Sequence, residues 1–234
     1  MIEVMCEDGK PEGNMEFDEV VRTTFAARAY TDEPVDDATV EQLLDMARFA
    51  PSGGNRQGWR VIVVREAATR AAMKALMEPV ARRYMAQRMA GENPFSTITP
   101  SRVTPDQVAA MALPPGLLEW VDSAPVILVV CVDLDVVASF DVDLPRVGVI
   151  SGASIYPFAW NILLAARSLG LGGTMTTFLA GAEPAACELL GIPSGHAIAA
   201  VLPIGRPPKQ LTRLTRRPVA AFTTRERFDG PPFV

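Results

Sequence analysis

Reactive side chains are scarce in this chain, and their spacing excludes several chemistries. The one histidine, His196, precedes an apolar run with no nucleophile elbow near it, so a Ser-His-Asp or Cys-His device lacks its usual setting. A His-rich metal site is impossible with one histidine, and Cys6, Cys131 and Cys187 lie far apart without Cys-x-x-Cys spacing. The segment Gly170-Leu171-Gly172-Gly173 follows a helical pattern instead of a strand, and it lacks the spacing of a dinucleotide fingerprint. No phosphate-cradling Gly-x-x-x-x-Gly-Lys loop occurs. With neither an acid–base pair nor a nucleophile in view, an enzyme of this sequence must take its chemistry from a bound cofactor, although a plain binding protein has the same look.

Composition narrows the class further. The 234 residues are 49% hydrophobic and 21% charged, with a formal net charge of -5, which is ordinary for a globular chain. No basic run precedes the C-terminal region, so no clustered face exists to neutralise nucleic-acid phosphates. An odd number of scattered cysteines fits a reduced, cytoplasmic protein better than a disulfide framework. Residues 1–14 are acidic and polar without a signal-peptide pattern, and are expected to be a flexible leader. Residues 147–166 form an uncharged stretch of roughly twenty residues, nominally enough to cross a bilayer. It contains Ser151, Gly152, Ser154, Pro157 and Asn161 and has no flanking anchors, so a helix buried on nearly all sides is the better reading and no membrane partner is expected.

The elements that must position any site follow from periodicity. Residues 15–27 read as a helix with Phe17, Val20, Val21 and Thr24 on one face. Asp36 and Asp37 are natural caps for a second helix carrying Val40, Leu43, Leu44 and Ala47. Residues 50–55, Ala-Pro-Ser-Gly-Gly-Asn, break it before a β-branched strand at 59–64. A helix is expected over 66–89, irregular chain over 91–115, and the strongest strand over 125–132. The apolar helix then spans 151–168 and ends at the glycines near 170. A strand over 174–178, a short helix over 184–190 and a strand over 197–204 follow. Beyond Gly205 the chain is rich in Pro and Arg and too poor in periodic apolar residues to pack alone. Interleaved helices and strands without repeats predict one α/β domain, a sheet between helices, with a C-terminal arm suited to crossing a partner subunit.

The ordered set Arg28-Ala29-Tyr30, Pro34-Val35, a helix, then Ala-Pro-Ser-Gly-Gly-Asn-Arg-Gln-Gly-Trp at 50–59 entering a strand resembles the FMN-dependent nitroreductase family. The apolar helix with Asn161, Leu202-Pro203-Ile204-Gly205 and Arg216-Arg217-Pro218 extend the resemblance over roughly residues 16–222. It implies an α/β (α+β) three-layer sandwich, a central mostly antiparallel sheet flanked by helices, spanning 15–234. It also implies a homodimer with an extended C-terminal arm at 206–234 and flavin sites at the subunit interface. The implied activity takes hydride from NADH or NADPH onto FMN and passes electrons, in ping-pong fashion, to a nitroaromatic, quinone or similar small acceptor.

The same resemblance implies the cofactor contacts. Arg28 and Arg216 would meet the flavin's phosphate, ribityl chain or pyrimidine edge, which suits an anionic cofactor. Pro51, Ser52, Gly53 and Asn55 would meet the flavin of the partner subunit, with Gln57 touching it or supporting the loop. Thr174, Met175, Thr176 and Thr177 lie where the family passes backbone near the reactive ring edge; Ser154 and Pro157 are also explained by a core helix. No side chain is required as a catalyst.

Departures from the family pattern also matter. Thr24 and Phe25 stand where the family has arginine, and Ala26 where it has serine. The lost charge is expected from Arg22 or from Arg82, Arg83 or Arg88. Residues 79–119 have no counterpart in the minimal pattern and are expected to cover the substrate face. Alternatives therefore stay open: a specialised flavin reaction such as dehalogenation or metabolite oxidation, a non-catalytic flavin-binding protein, or a protein that has lost the cofactor.

Overall fold

The computed structural model describes residues 15–234; the expected leader lies outside them. Its central element is β2 (Val126–Asp133), flanked by β1 (Trp59–Val64) and β4 (His196–Gly205), with β3 (Gly172–Gly173) beyond β4. All three pairings are antiparallel. The apolar run of β2 is explained by what covers it. Val126, Leu128, Val130 and Val132 point into one core with α2 (Asp37–Ala47) and α6 (Tyr156–Ser168). Ile127, Val129 and Cys131 point into a second with α3 (Ala67–Met89), α5 (Trp120–Ser123) and α7 (Glu183–Leu190). A sheet covered on both faces cannot show polar alternation. Each fully buried Ile or Leu here contributes roughly 1.5–3 kcal/mol of transfer free energy.

The expected helices are anchored by local chemistry. Asp36 caps α2, its carboxylate accepting from the Thr39 backbone N–H at 2.8 Å. In α3, Met73, Met77 and Ala81 form one buried stripe while the chain continues through Pro79. Buried Arg70 on the same helix donates to the carbonyls of Ala124 at 2.5 Å and Pro125 at 3.0 Å, closing the turn into β2. At the end of α6, Gly170 takes φ +73° and the Leu171 N–H reaches back to Ala166 O at 2.8 Å, a left-handed helix cap.

Several boundaries differ from expectation, each for a tertiary reason. The first helix, α1 (Phe17–Thr23), stops four residues early. The Thr24 hydroxyl turns back onto Val20 O at 2.7 Å, and Ala26–Ala27 leave to pair with Gly173. The apolar helix begins at Tyr156, after a 3-10 turn over Ile150–Ser154, with Pro157 in its first turn. The strand expected over 174–178 does not form beyond a single bridge from Thr176 to Val201; β3 lies just before it at Gly172–Gly173, and Phe178–Ala182 is 3-10. Residues 91–115 are more ordered than their composition implies. The Thr104 and Gln107 side chains close a capping box on α4 (Pro105–Ala109), and Glu92 accepts from Ser101 Oγ at 2.6 Å and Arg102 N–H at 2.7 Å. Among the described residues no helix is long and apolar enough to cross a membrane.

Candidate functional site

The opening motif is held between α6 and the last strand. Arg167, a buried cation on α6, donates to Thr23 Oγ1 at 2.8 Å and stands 3.7 Å from the Glu19 carboxylate. That fixes the end of α1. From there Ala27 N–H donates to Gly173 O at 3.0 Å. The buried Tyr30 hydroxyl lies 2.7 Å from Ala27 O and 3.1 Å from Pro203 O, and burial holds this phenol protonated well above its ordinary pKa. The Arg28 side chain stays exposed and makes a long 3.5 Å contact to Ala26 O.

Gly173 explains why this crossing is built from glycine. A Cβ there would lie 2.6 Å from Ile204 Cδ1, 2.7 Å from Pro203 O and 2.9 Å from Leu163 Cδ2. Backbone can therefore pass where no side chain fits. Thr174 is buried behind it, while Thr176 is half-buried and Thr177 exposed. Thr176 exchanges backbone hydrogen bonds with Val201 at 3.0 and 2.8 Å.

The C-terminal arm returns to the same region. Arg206 forms a bidentate ion pair with Glu33 and donates to Gly170 O at 3.2 Å; Thr31 N–H donates to Arg206 O at 2.8 Å. The Glu33 pKa is lowered chiefly by its hydrogen bond from Arg206. Four residues on, Gln210 Nε2 donates to Thr23 O at 2.9 Å. The arm then lines a hollow of about 760 Å³ that includes Thr24, Arg216 and Trp160. Arg216, nearly two hundred residues from Thr24 in sequence, is thus brought to the start of the opening motif.

The turn at 51–57 sits elsewhere, docked beside the start of α6. Gly53 N–H donates to Ser154 Oγ at 3.1 Å, and the Trp59 ring stacks on Phe158 at 4.7 Å between centroids. Its backbone enters the left-handed region twice: Gly54 and Asn55 have φ of 61° and 53°, Arg56 returns to -79°, and Gln57 has φ of 50°, a conformation that non-glycine residues rarely adopt. The Gln57 N–H donates to Ser52 Oγ at 2.9 Å, and its side-chain amide to Asn55 Oδ1 at 3.1 Å. Gln57 therefore braces the turn, while Pro51, Gly53 and Asn55 remain exposed around it. The turn does not border the hollow that holds Arg216.

Of the arginines expected to replace the missing motif charge, Arg22 borders that hollow. The others are engaged in the 79–119 region. Arg82 donates to Met111 O, and Arg83 lies 4.7 Å over the Phe95 ring; Arg88 lies 5.8 Å over Tyr84. Sequence reasoning passed over Arg213 and Trp160, which also line the hollow. The basic character of residues 213–217 was the available signal, but which of them faces inward depends on the path of an arm without periodicity.

The family model described as Nitroreductase family matches residues 21–206. A protein of Archaeoglobus fulgidus named for NADH dehydrogenase/NAD(P)H nitroreductase is 28% identical over 200 residues, covering 80% of this chain and 83% of its own. The 5,6-dimethylbenzimidazole synthase of Rhodobacter capsulatus is 30% identical over 190 residues, covering 81% and 82%. The solved structure of NADPH:FMN oxidoreductase from Vibrio harveyi, complexed with NAD+, shares the fold with a TM-score of 0.62 at 20% identity, covering 91% of this chain and 77% of that one. The three-layer sandwich is the nitroreductase fold, and the chain belongs to the Nitroreductase family.

Proposed function

We propose that this chain is an FMN-dependent NAD(P)H oxidoreductase that works as a cytoplasmic homodimer with flavin at the subunit interface. The observation that carries the reading is the meeting of Arg216 with Thr24 of the opening motif in one hollow, beside a glycine-built crossing at Gly173–Thr174. The donor set fits an anionic, planar cofactor, since guanidinium groups suit a phosphate and close backbone suits a ring edge. Relatives named as nitroreductases and an FMN oxidoreductase of the same fold support it.

When bound, FMN supplies the redox chemistry, taking electrons from NADH or NADPH and releasing them to a nitroaromatic, quinone or similar small acceptor. The protein's part is positioning and charge. Arg28 and Arg216 hold the polar end, and the backbone of Thr174, Thr176 and Thr177 follows the ring edge. Pro51, Ser52, Gly53 and Asn55 of one protomer, braced by Gln57, meet the flavin of its partner. This division is supported by a turn that is braced by its own hydrogen bonds yet borders no hollow with Arg216 in a single chain.

The direct test is the visible spectrum of the purified protein supplied with FMN, followed by anaerobic addition of each nucleotide. Flavin bands that bleach with NADH or NADPH are the expected result. Bands that persist with both move the function to flavin binding alone, and a chain that takes up no FMN overturns the reading. A dedicated acceptor is the second reading, favoured by the order within residues 91–115, where Glu92 and the Thr104 capping box fix the chain. Efficient turnover of generic nitroaromatics counts against it.

A further inference from the structure

The opening motif lacks its arginine, yet the hollow beside it is strongly basic. Thr24 supplies no charge, and its hydroxyl hydrogen goes to Val20 O at 2.7 Å. Around the same hollow stand Arg22, Arg213 and Arg216, opposed by one carboxylate, Asp18. Asp18 is held by Arg22 Nε at 2.8 Å to each carboxylate oxygen, which leaves the terminal nitrogens of Arg22 unengaged among the described residues. Among the described residues Arg213 forms no ion pair and Arg216 donates only to the neighbouring Thr215 O at 2.9 Å. Three guanidinium groups sharing a hollow repel one another. Their surplus over Asp18 is two positive charges, the complement of a phosphate monoester carrying about two negative charges at neutral pH.

The arm that carries Arg213 is tied down just before it. Arg206 clasps Glu33 and Gly170 O, and Gln210 holds Thr23 O. Gln210 lies three residues before Arg213, so these ties bring the arginine to the end of α1. Arg82, Arg83 and Arg88 are spent on Met111 O, Phe95 and Tyr84 and do not border this hollow.

We infer that Arg213, supported by Arg22, binds the flavin phosphate in place of the arginine missing at Thr24–Phe25, so that this chain draws its phosphate charge from the C-terminal arm. The inference rests on the flavin reading above. It makes the phosphate a determinant of affinity that riboflavin, which lacks it, cannot satisfy.

The experiment is a titration of the full chain with FMN and, separately, with riboflavin, followed by quenching of flavin fluorescence. The unaltered protein is expected to bind FMN at least about tenfold more tightly than riboflavin, the scale of a charge-assisted contact. Arg213→Ala should weaken FMN about tenfold and leave riboflavin unchanged, while Arg213→Lys retains part of the preference. Arg213→Glu should abolish the preference, because it places a carboxylate against the phosphate. An Arg213→Ala protein that keeps the full preference, or that loses both flavins in equal proportion, overturns the assignment. Equal binding of both flavins by the unaltered protein overturns the phosphate role while leaving the flavin reading intact. Binding of neither overturns the flavin reading itself.

Discussion

At the scale of single residues, the site depends on where side chains are absent as much as on where they are present. Gly173 is pressed between Pro203 O, Ile204 and Leu163, so Gly173→Ala forces strand or helix to move. The expected cost is about 1–3 kcal/mol of stability, read as a lower midpoint in urea, with weaker flavin retention because the displaced backbone carries Thr174. An unchanged midpoint would mean that the crossing has slack. Residue types at fixed spacing were legible in the sequence: the Pro-Ser-Gly-Gly-Asn turn, Arg28 and Arg216. What they do to one another was not. Support of the loop was one of the two readings open for Gln57, and its amide does reach Asn55 Oδ1, but no local pattern announces the left-handed backbone at Asn55 and Gln57. Arg213 escaped notice because it lies in a Pro- and Arg-rich arm where neither helical nor strand periodicity assigns a side chain to a face.

At the scale of elements, α2 and α7 were legible from helical period, which the caps Asp36 and Gly191 reinforce, and β2 and β4 from their unbroken apolar runs. α1 and the 174–178 segment were not, because tertiary pairing overrode local pattern: Ala26 leaves its helix to meet Gly173, and Thr176 makes a lone bridge. β2 also carries a titratable group. Cys131 is buried between the sheet and the outer helices, and burial, with Cys187 and Glu183 nearby, pushes its thiol up to about 11. An unfolded thiol ionises near about 8.5. Since the folded pKa is the higher one, the stabilisation is complete below the unfolded value and is lost as pH rises toward 11. Urea midpoints measured across pH 8–11 should therefore fall more steeply for the natural chain than for Cys131→Ala. Equal slopes would assign the alkaline loss to other groups.

At the scale of the whole molecule, much apolar surface faces outward. Phe140 is 92% exposed and Phe228 fully so, with Phe49, Trp160 and Phe222 also open. Exposed aromatic side chains of this kind are available to the subunit interface proposed above. Deleting residues 212–234 is expected to convert the proposed homodimer to monomer in light scattering and to abolish flavin retention together, because the proposed interface and the proposed flavin site both draw on the arm. A truncated chain that stays dimeric would detach the arm from the interface. The order β1-β2-β4-β3 has another consequence, for synthesis. β2 is complete at Asp133, but its second neighbour begins only at His196. At 5–20 residues per second the ribosome needs roughly 3 to 13 s to deliver it. During that interval the most water-averse strand of the nascent chain has β1 on one edge and nothing on the other. This makes the half-made protein a natural client for chaperones that shield unpaired strand edges.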